Sequence, residues 1–192
     1  MKTKAMRLLS LLLIAILLVT AGFTIIKPGK AMKIVNENTM QFHSRFLFSD
    51  SSQVAHFECD DFVSDALANY TIATITGKFS NLLHLTQEKV VNRHDSAVID
   101  TIYTFSNPRN KIQIYRAKQN EFLFTFEVRD SLFNLMGDVK TGMVKDAFSL
   151  KFNIIEPIVN KVQMVNSEGS MRFLFYFEND RLMQINSYLY LD

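Results

Sequence analysis

Apolar residues recur at every second position through the downstream half of the chain. Ile99, Thr101, Tyr103 and Phe105 fall on one side of a strand, with Val98, Asp100, Ile102 and Thr104 on the other. Asn107-Pro108-Arg109-Asn110 makes a turn into a second strand over 111–116. Phe122, Phe124, Phe126 and Val128 alternate with Leu123, Thr125, Glu127 and Arg129, predicting a strand with one face in the core and one toward water. Three more strands are predicted over 161–165, 171–177 and 182–191, joined by turns at 166–170 and 178–180. Consecutive strands with short turns pair antiparallel. Phe173, Phe175 and Phe177 face one way, and Leu174 and Tyr176 the other. A strand apolar on both faces is expected at the centre of a sheet covered on both sides; the alternative is an exposed aromatic surface that binds a partner.

Helical spacing shows twice. After Asp60-Asp61, the positions Phe62, Val63, Ala66, Leu67 and Tyr70 form one apolar stripe, with an aspartate as cap. Val144, Ala147, Phe148 and Phe152 form another, with Thr141 as cap and Pro157 beyond its end. Residues 71–76 are β-branched apart from one alanine and read as a strand stopped by Gly77. Residues 79–95 stay ambiguous, since Leu82, Leu83, Val90 and Val91 fit a helix only loosely. The pattern predicts an α+β domain: an antiparallel sheet of roughly five to seven strands with two or three helices packed on one face. Residues 46–192 form that single domain, and 22–45, with Lys, Asn, Gly and Pro and few clustered apolar residues, form a linker.

The N-terminus changes the picture. Lys2, Lys4 and Arg7 precede an uncharged run over residues 8–26, the pattern of an export signal. Val19 and Ala21 sit at the small-residue positions of a cleavage site, so residues 1–21 read as a signal peptide. The alternative is a membrane anchor over 8–26, since nineteen uncharged residues approach a membrane span. Either way the protein is expected to be exported, periplasmic or secreted, or tethered to the inner membrane. Membrane contact is expected through this segment alone. Without residues 1–21 the basic residues fall from 21 to 18 against 19 acidic ones, moving the net charge from +2 to −1. A near-neutral mature chain has no electrostatic footprint for nucleic acid.

Candidate chemistry is sparse. Cys59 is the single cysteine, so an intramolecular disulfide is excluded and a buried thiol is expected. His56, Cys59, Asp60 and Asp61 have metal-ligand residue types, but a zinc site needs three or four ligands, and His43, His84 and His94 are scattered. Helix capping by Asp60 or Asp61 is the better account. An enzyme using Cys59 with a histidine base, or His56, is the least favoured alternative. Carboxylates at Glu178 and Asp180 sit in a turn, and Asp100 is expected at an edge position that meets water. No catalytic, cofactor-binding or metal-ligating set is assigned.

Gly142-Met143-Val144-Lys145-Asp146-Ala147-Phe148, followed by β-hairpins, resembles the Gly-Met-x-Lys-x-x-Val segment of small envelope proteins. These include the small lipoprotein of the outer-membrane β-barrel assembly machine and β-lactamase-inhibitor-like proteins. The resemblance covers residues 137–192 and rests on Gly142, Met143, Lys145 and Phe148. It departs from the lipoproteins in having no cysteine after the apolar N-terminal run. It implies a helix on an antiparallel sheet and a non-enzymatic module that binds another envelope protein. The expected function is therefore an exported protein-binding module without cofactor. The alternative is a carrier of a small apolar ligand in a pocket lined by phenylalanine.

Overall fold

The structure, a computed structural model, describes residues 40–49 and 53–189. The N-terminal segment read as signal or anchor (residues 1–21 or 8–26) and most of the 22–45 linker lie outside the described residues. Nine strands form one sheet: β1 (Arg45–Ser49), β2 (Val54–Glu58), β3 (His84–Val91), β4 (Ile99–Asn107), β5 (Asn110–Ala117), β6 (Asn120–Val128), β7 (Lys161–Val165), β8 (Met171–Glu178) and β9 (Arg181–Leu189). Their spatial order is β1-β2-β7-β8-β9-β6-β5-β4-β3. Two antiparallel meanders, β3 to β6 and β7 to β9, join where β6 pairs with β9. The pair β2–β7 is parallel, because helices and the whole first meander intervene between those strands.

This corrects the expected α+β class. The sheet is mixed, has nine strands, and carries only three short helices among the described residues: α1 (Asp60–Val63), α2 (Ile72–Phe79) and α3 (Lys145–Lys151). Three strands escaped the sequence pattern. β1 and β3 are sheet edges, largely solvent-exposed, and β2 is only five residues long. Edge strands need no strict alternation because neither face is fully buried. Residues 71–76 reverse the other way. Thr71 caps α2, its side chain accepting from the Thr74 amide at 3.1 Å, and Ile72 and Ile75 bury one helical face. Tertiary burial outweighs the β-propensity of Thr and Ile.

The other helices are shorter than their stripes suggested. α1 ends at Val63, and Ala66, Leu67 and Tyr70 reach the core from successive turns. Its N-cap is Cys59, without a side-chain bond; Asp60 instead accepts from the Ser167 amide at 2.7 Å and ties down the β7–β8 turn. α3 starts at Lys145 after Val144, and Thr141 is buried rather than capping it.

One face of the sheet carries the core. Phe62 of α1 meets the rings of Phe42, Phe152, Phe173 and Phe175, and Phe148 of α3 packs on Phe175 and Phe177. Tyr70 and Phe133 meet Phe126 of β6. Phe79 of α2 packs on Phe133, so all three helices lie over the same face. The chain is already packed at Phe42, which is buried, ahead of the expected domain start at Phe46. No helix among the described residues is long and apolar enough to cross a membrane.

Candidate binding face

The other face of the sheet bears no helix among the described residues. β8 shows this most directly: Phe173, Phe175 and Phe177 are buried, whereas Leu174 and Tyr176 on the opposite side are only half-buried. β8 is central, as its sequence suggested, but it is covered on one side, not two. Bulges decide what else reaches the open face. In β6 the ladder passes from Thr125 to Leu123 and skips Phe124. That extra residue flips the alternation, so Phe122 emerges 39% exposed on the open face while Phe126 and Val128 stay in the core. The expected single face of Phe122, Phe124, Phe126 and Val128 is thus broken at one residue. A second bulge in β9 skips Met183 and leaves it 45% exposed.

A line of polar side chains crosses this face. Arg129 Nε donates to Gln184 Oε1 at 3.0 Å, and Gln184 Nε2 donates to Asn186 Oδ1 at 2.8 Å. Asn186 Nδ2 donates to the Tyr188 hydroxyl at 3.1 Å, which donates to Glu127 Oε1 at 3.3 Å. Every donor points the same way, from guanidinium to carboxylate, so each bond polarises the next. Partial burial, then the Glu127 charge, raise the Tyr188 pKa above its ordinary value, keeping the hydroxyl a donor. Asn186 is itself buried. Sequence reading missed this set. Gln184, Asn186 and Tyr188 recur with period two in β9, a signal that would have placed them on one face but not joined them to Arg129.

At the far end of the open face Asp100 is 1% exposed, against its expected place in water. The Tyr115 hydroxyl donates to its Oδ2, and Asn92 Nδ2 donates to the same oxygen at 2.6 Å. Asn92 Oδ1 in turn accepts from the amides of His94 and Asp95. Asp100 is the post on which the β3–β4 connection folds back, and that connection removes it from water. Its bond to Asp100 raises the Tyr115 pKa. Asp100 Oδ1 has no hydrogen-bond partner among the described residues.

The remaining candidates do not assemble. His56 stacks on Phe48 with ring centroids 4.2 Å apart, on the open side, while Cys59 is buried in the core. Burial pushes the Cys59 thiol up to about 11, opposed by a bond at Phe62 and aided by Asp61 and Asp60. His43, His84 and His94 are exposed at separate places. Among the described residues no three metal-type side chains converge. Asp180 follows Asn179 with both at positive φ, a type I′ hairpin turn, and pairs with Lys145 at 3.3 Å. The buried phenylalanines pack ring on ring. A groove of about 620 Å³ does open on the helical side, lined by Tyr70, Lys78, Leu132, Asn134 and Asp138 among others.

Taken together, the fold and this face define a mixed β-sheet protein whose described helices lie on one face, with an amphipathic sheet surface on the other. Comparison of the chain with protein-family models, with curated proteins and with solved structures finds no match.

Proposed function

We propose that this chain is a non-enzymatic binding module whose partner, another exported envelope protein, docks on the open sheet face. The observation that carries this is the half-buried central surface made by Leu174, Tyr176 and Tyr188, crossed by the polar line from Arg129 to Glu127, with half-buried Tyr115 and exposed Phe122 paired farther along the same face. Aromatic side chains with bonded polar tips supply contact area and direction at low entropic cost. Sheet strands hold them rigidly, which suits recognition. The buried Cys59 thiol, with its raised pKa, works against the nucleophile reading. The ring-on-ring packing of the phenylalanines works against the apolar carrier.

Photo-cross-linking tests the proposal. A benzophenone amino acid at Leu174 or Tyr188 of the full chain, in cells that produce it, should yield one dominant protein adduct. The same probe at Lys78, on the helical side, should not. Equal adducts at all three positions, or none at Leu174 and Tyr188, would overturn the reading.

A further inference from the structure

We propose that one corner of the open face, between the β4–β5 turn and the start of β9, is a carboxylate-binding subsite for an acidic side chain of the docked protein. The inference rests on the binding-face reading and assigns it a chemistry. A cleft of about 150 Å³ is lined by Arg109, Lys111, Glu127, Arg129 and Gln184 among others. It shares Arg109, Arg129 and Gln184 with a neighbouring groove of about 470 Å³, whose walls include Tyr176 and Met183.

The three cations here are not equivalent. Arg109 is engaged: its Nε lies 2.9 Å from Asp130 Oδ1, and its Nη2 donates to the Arg129 carbonyl at 3.1 Å. Asn110, buried, completes that frame by donating to Asp130 Oδ2 at 2.6 Å and accepting from the Arg129 amide at 2.9 Å. The frame fixes the Arg129 backbone. The Arg129 side chain is oriented through its Nε bond to Gln184, and among the described residues its two Nη groups have no partner. Lys111, exposed on the adjacent strand, has no ion pair among the described residues. Glu127, the acid opposite it in the ladder, receives the Tyr188 hydroxyl.

A guanidinium held at Nε with both Nη groups free is the donor pair that a carboxylate accepts in bidentate fashion. Its orientation is set beforehand, so less rotamer entropy is lost on binding than for a free arginine. Tyr176 and the bulged Met183 offer an apolar wall for the side chains flanking the acid. The ligand class is thus an aspartate or glutamate between apolar residues.

The full chain with labelled arginine and glutamine side chains, titrated by NMR at low salt with acetyl-Leu-Asp-Leu-amide, tests this. Saturable shifts of the Arg129 Nε–H and the Gln184 amide are expected. Affinity should fall roughly fivefold or more with acetyl-Leu-Asn-Leu-amide, with Arg129→Gln, or at high salt. Lys111→Gln should weaken binding less, as a point charge without the fork. No saturable shift, equal affinity for the asparagine peptide, or inorganic phosphate binding at these groups as tightly as the peptide would each overturn the subsite. If cross-links from Leu174 and Tyr188 persist undiminished in Arg129→Gln, the subsite fails while the binding face stands.

Discussion

Lys151 and Met40 fasten the start of the described chain to the domain: the Lys151 ammonium, 7% exposed, donates to the Met40 carbonyl oxygen at 2.9 Å. Two more bonds act beside it, from the Phe42 amide to the Lys151 carbonyl at 2.7 Å and from Ser44 Oγ to the Phe152 carbonyl at 2.6 Å. Burial lowers the Lys151 pKa, and the Asp138 charge opposes that shift. Replacing Lys151 by Met removes one hydrogen bond but also relieves a buried charge, so global stability should change by less than about 1 kcal/mol. The local effect should be larger. Limited proteolysis at residues 40–41 is expected to speed up severalfold while the denaturation midpoint holds.

Gly137 meets the same tether from the other side. Its φ is +70°, and an added Cβ would lie 2.7 Å and 2.9 Å from two Phe42 ring carbons. Gly137→Ala combines left-handed strain with a clash against a buried ring, and should destabilise by about 1–3 kcal/mol in urea unfolding.

Phe62 bridges the helical layer and β8, with ring centroids 5.1, 4.9, 5.2 and 6.1 Å from Phe42, Phe152, Phe173 and Phe175. Phe62→Ala should cost about 3–5 kcal/mol, and Phe62→Leu less, in chemical denaturation. A cost below about 1 kcal/mol for the alanine variant would mean that α1 does not seal the core.

Cys59 should be inert in the native state. Its pKa of about 11 leaves almost no thiolate at pH 8, and the residue is 1% exposed. A thiol reagent should therefore react only as fast as the domain opens, and at once in denaturant. Because the folded pKa exceeds the unfolded one, this thiol supports stability below the unfolded value. That support is lost as pH rises through about 11.

Glu121 supplies an acid-limb prediction. Burial works against its carboxylate, but the Arg116 guanidinium and the Ile72 amide, donating at 2.5 and 2.9 Å, outweigh it and lower its pKa. Its contribution to stability is thus present above the unfolded carboxylate range and is lost as pH falls through the depressed folded value. Glu121→Gln should flatten the acid side of the stability profile and loosen the first turn of α2, read by amide exchange at Ile72. An unchanged acid limb would refute the pairing.

The strands with strong alternation or clear turns were legible in the sequence because burying one face of a strand imposes period two. β4 to β9 all showed themselves in that way. β1 and β3 did not, since an edge strand can remain wet on both faces. α2 was misread because Thr and Ile favour strands, and only the burial of Ile72 and Ile75 against the sheet decides for a helix. Of the open face, only the water-facing positions Thr125, Glu127 and Arg129 of β6 were legible, and not as part of a site. Arg129 and Gln184 lie 55 residues apart, and only the β6–β9 pairing brings them together.

The sequence by itself determined that the chain builds a sheet with a phenylalanine core, and that its basic balance belongs to its first 21 residues. Tertiary structure decided the rest. It joined two meanders and the β1–β2 pair into nine strands, laid every described helix on one face, and left the other without a helix among the described residues. The reason is physical: periodicity fixes which side of a strand is apolar, but a one-residue bulge reverses that side. Strand pairing between distant residues, which no local pattern encodes, sets which polar groups meet.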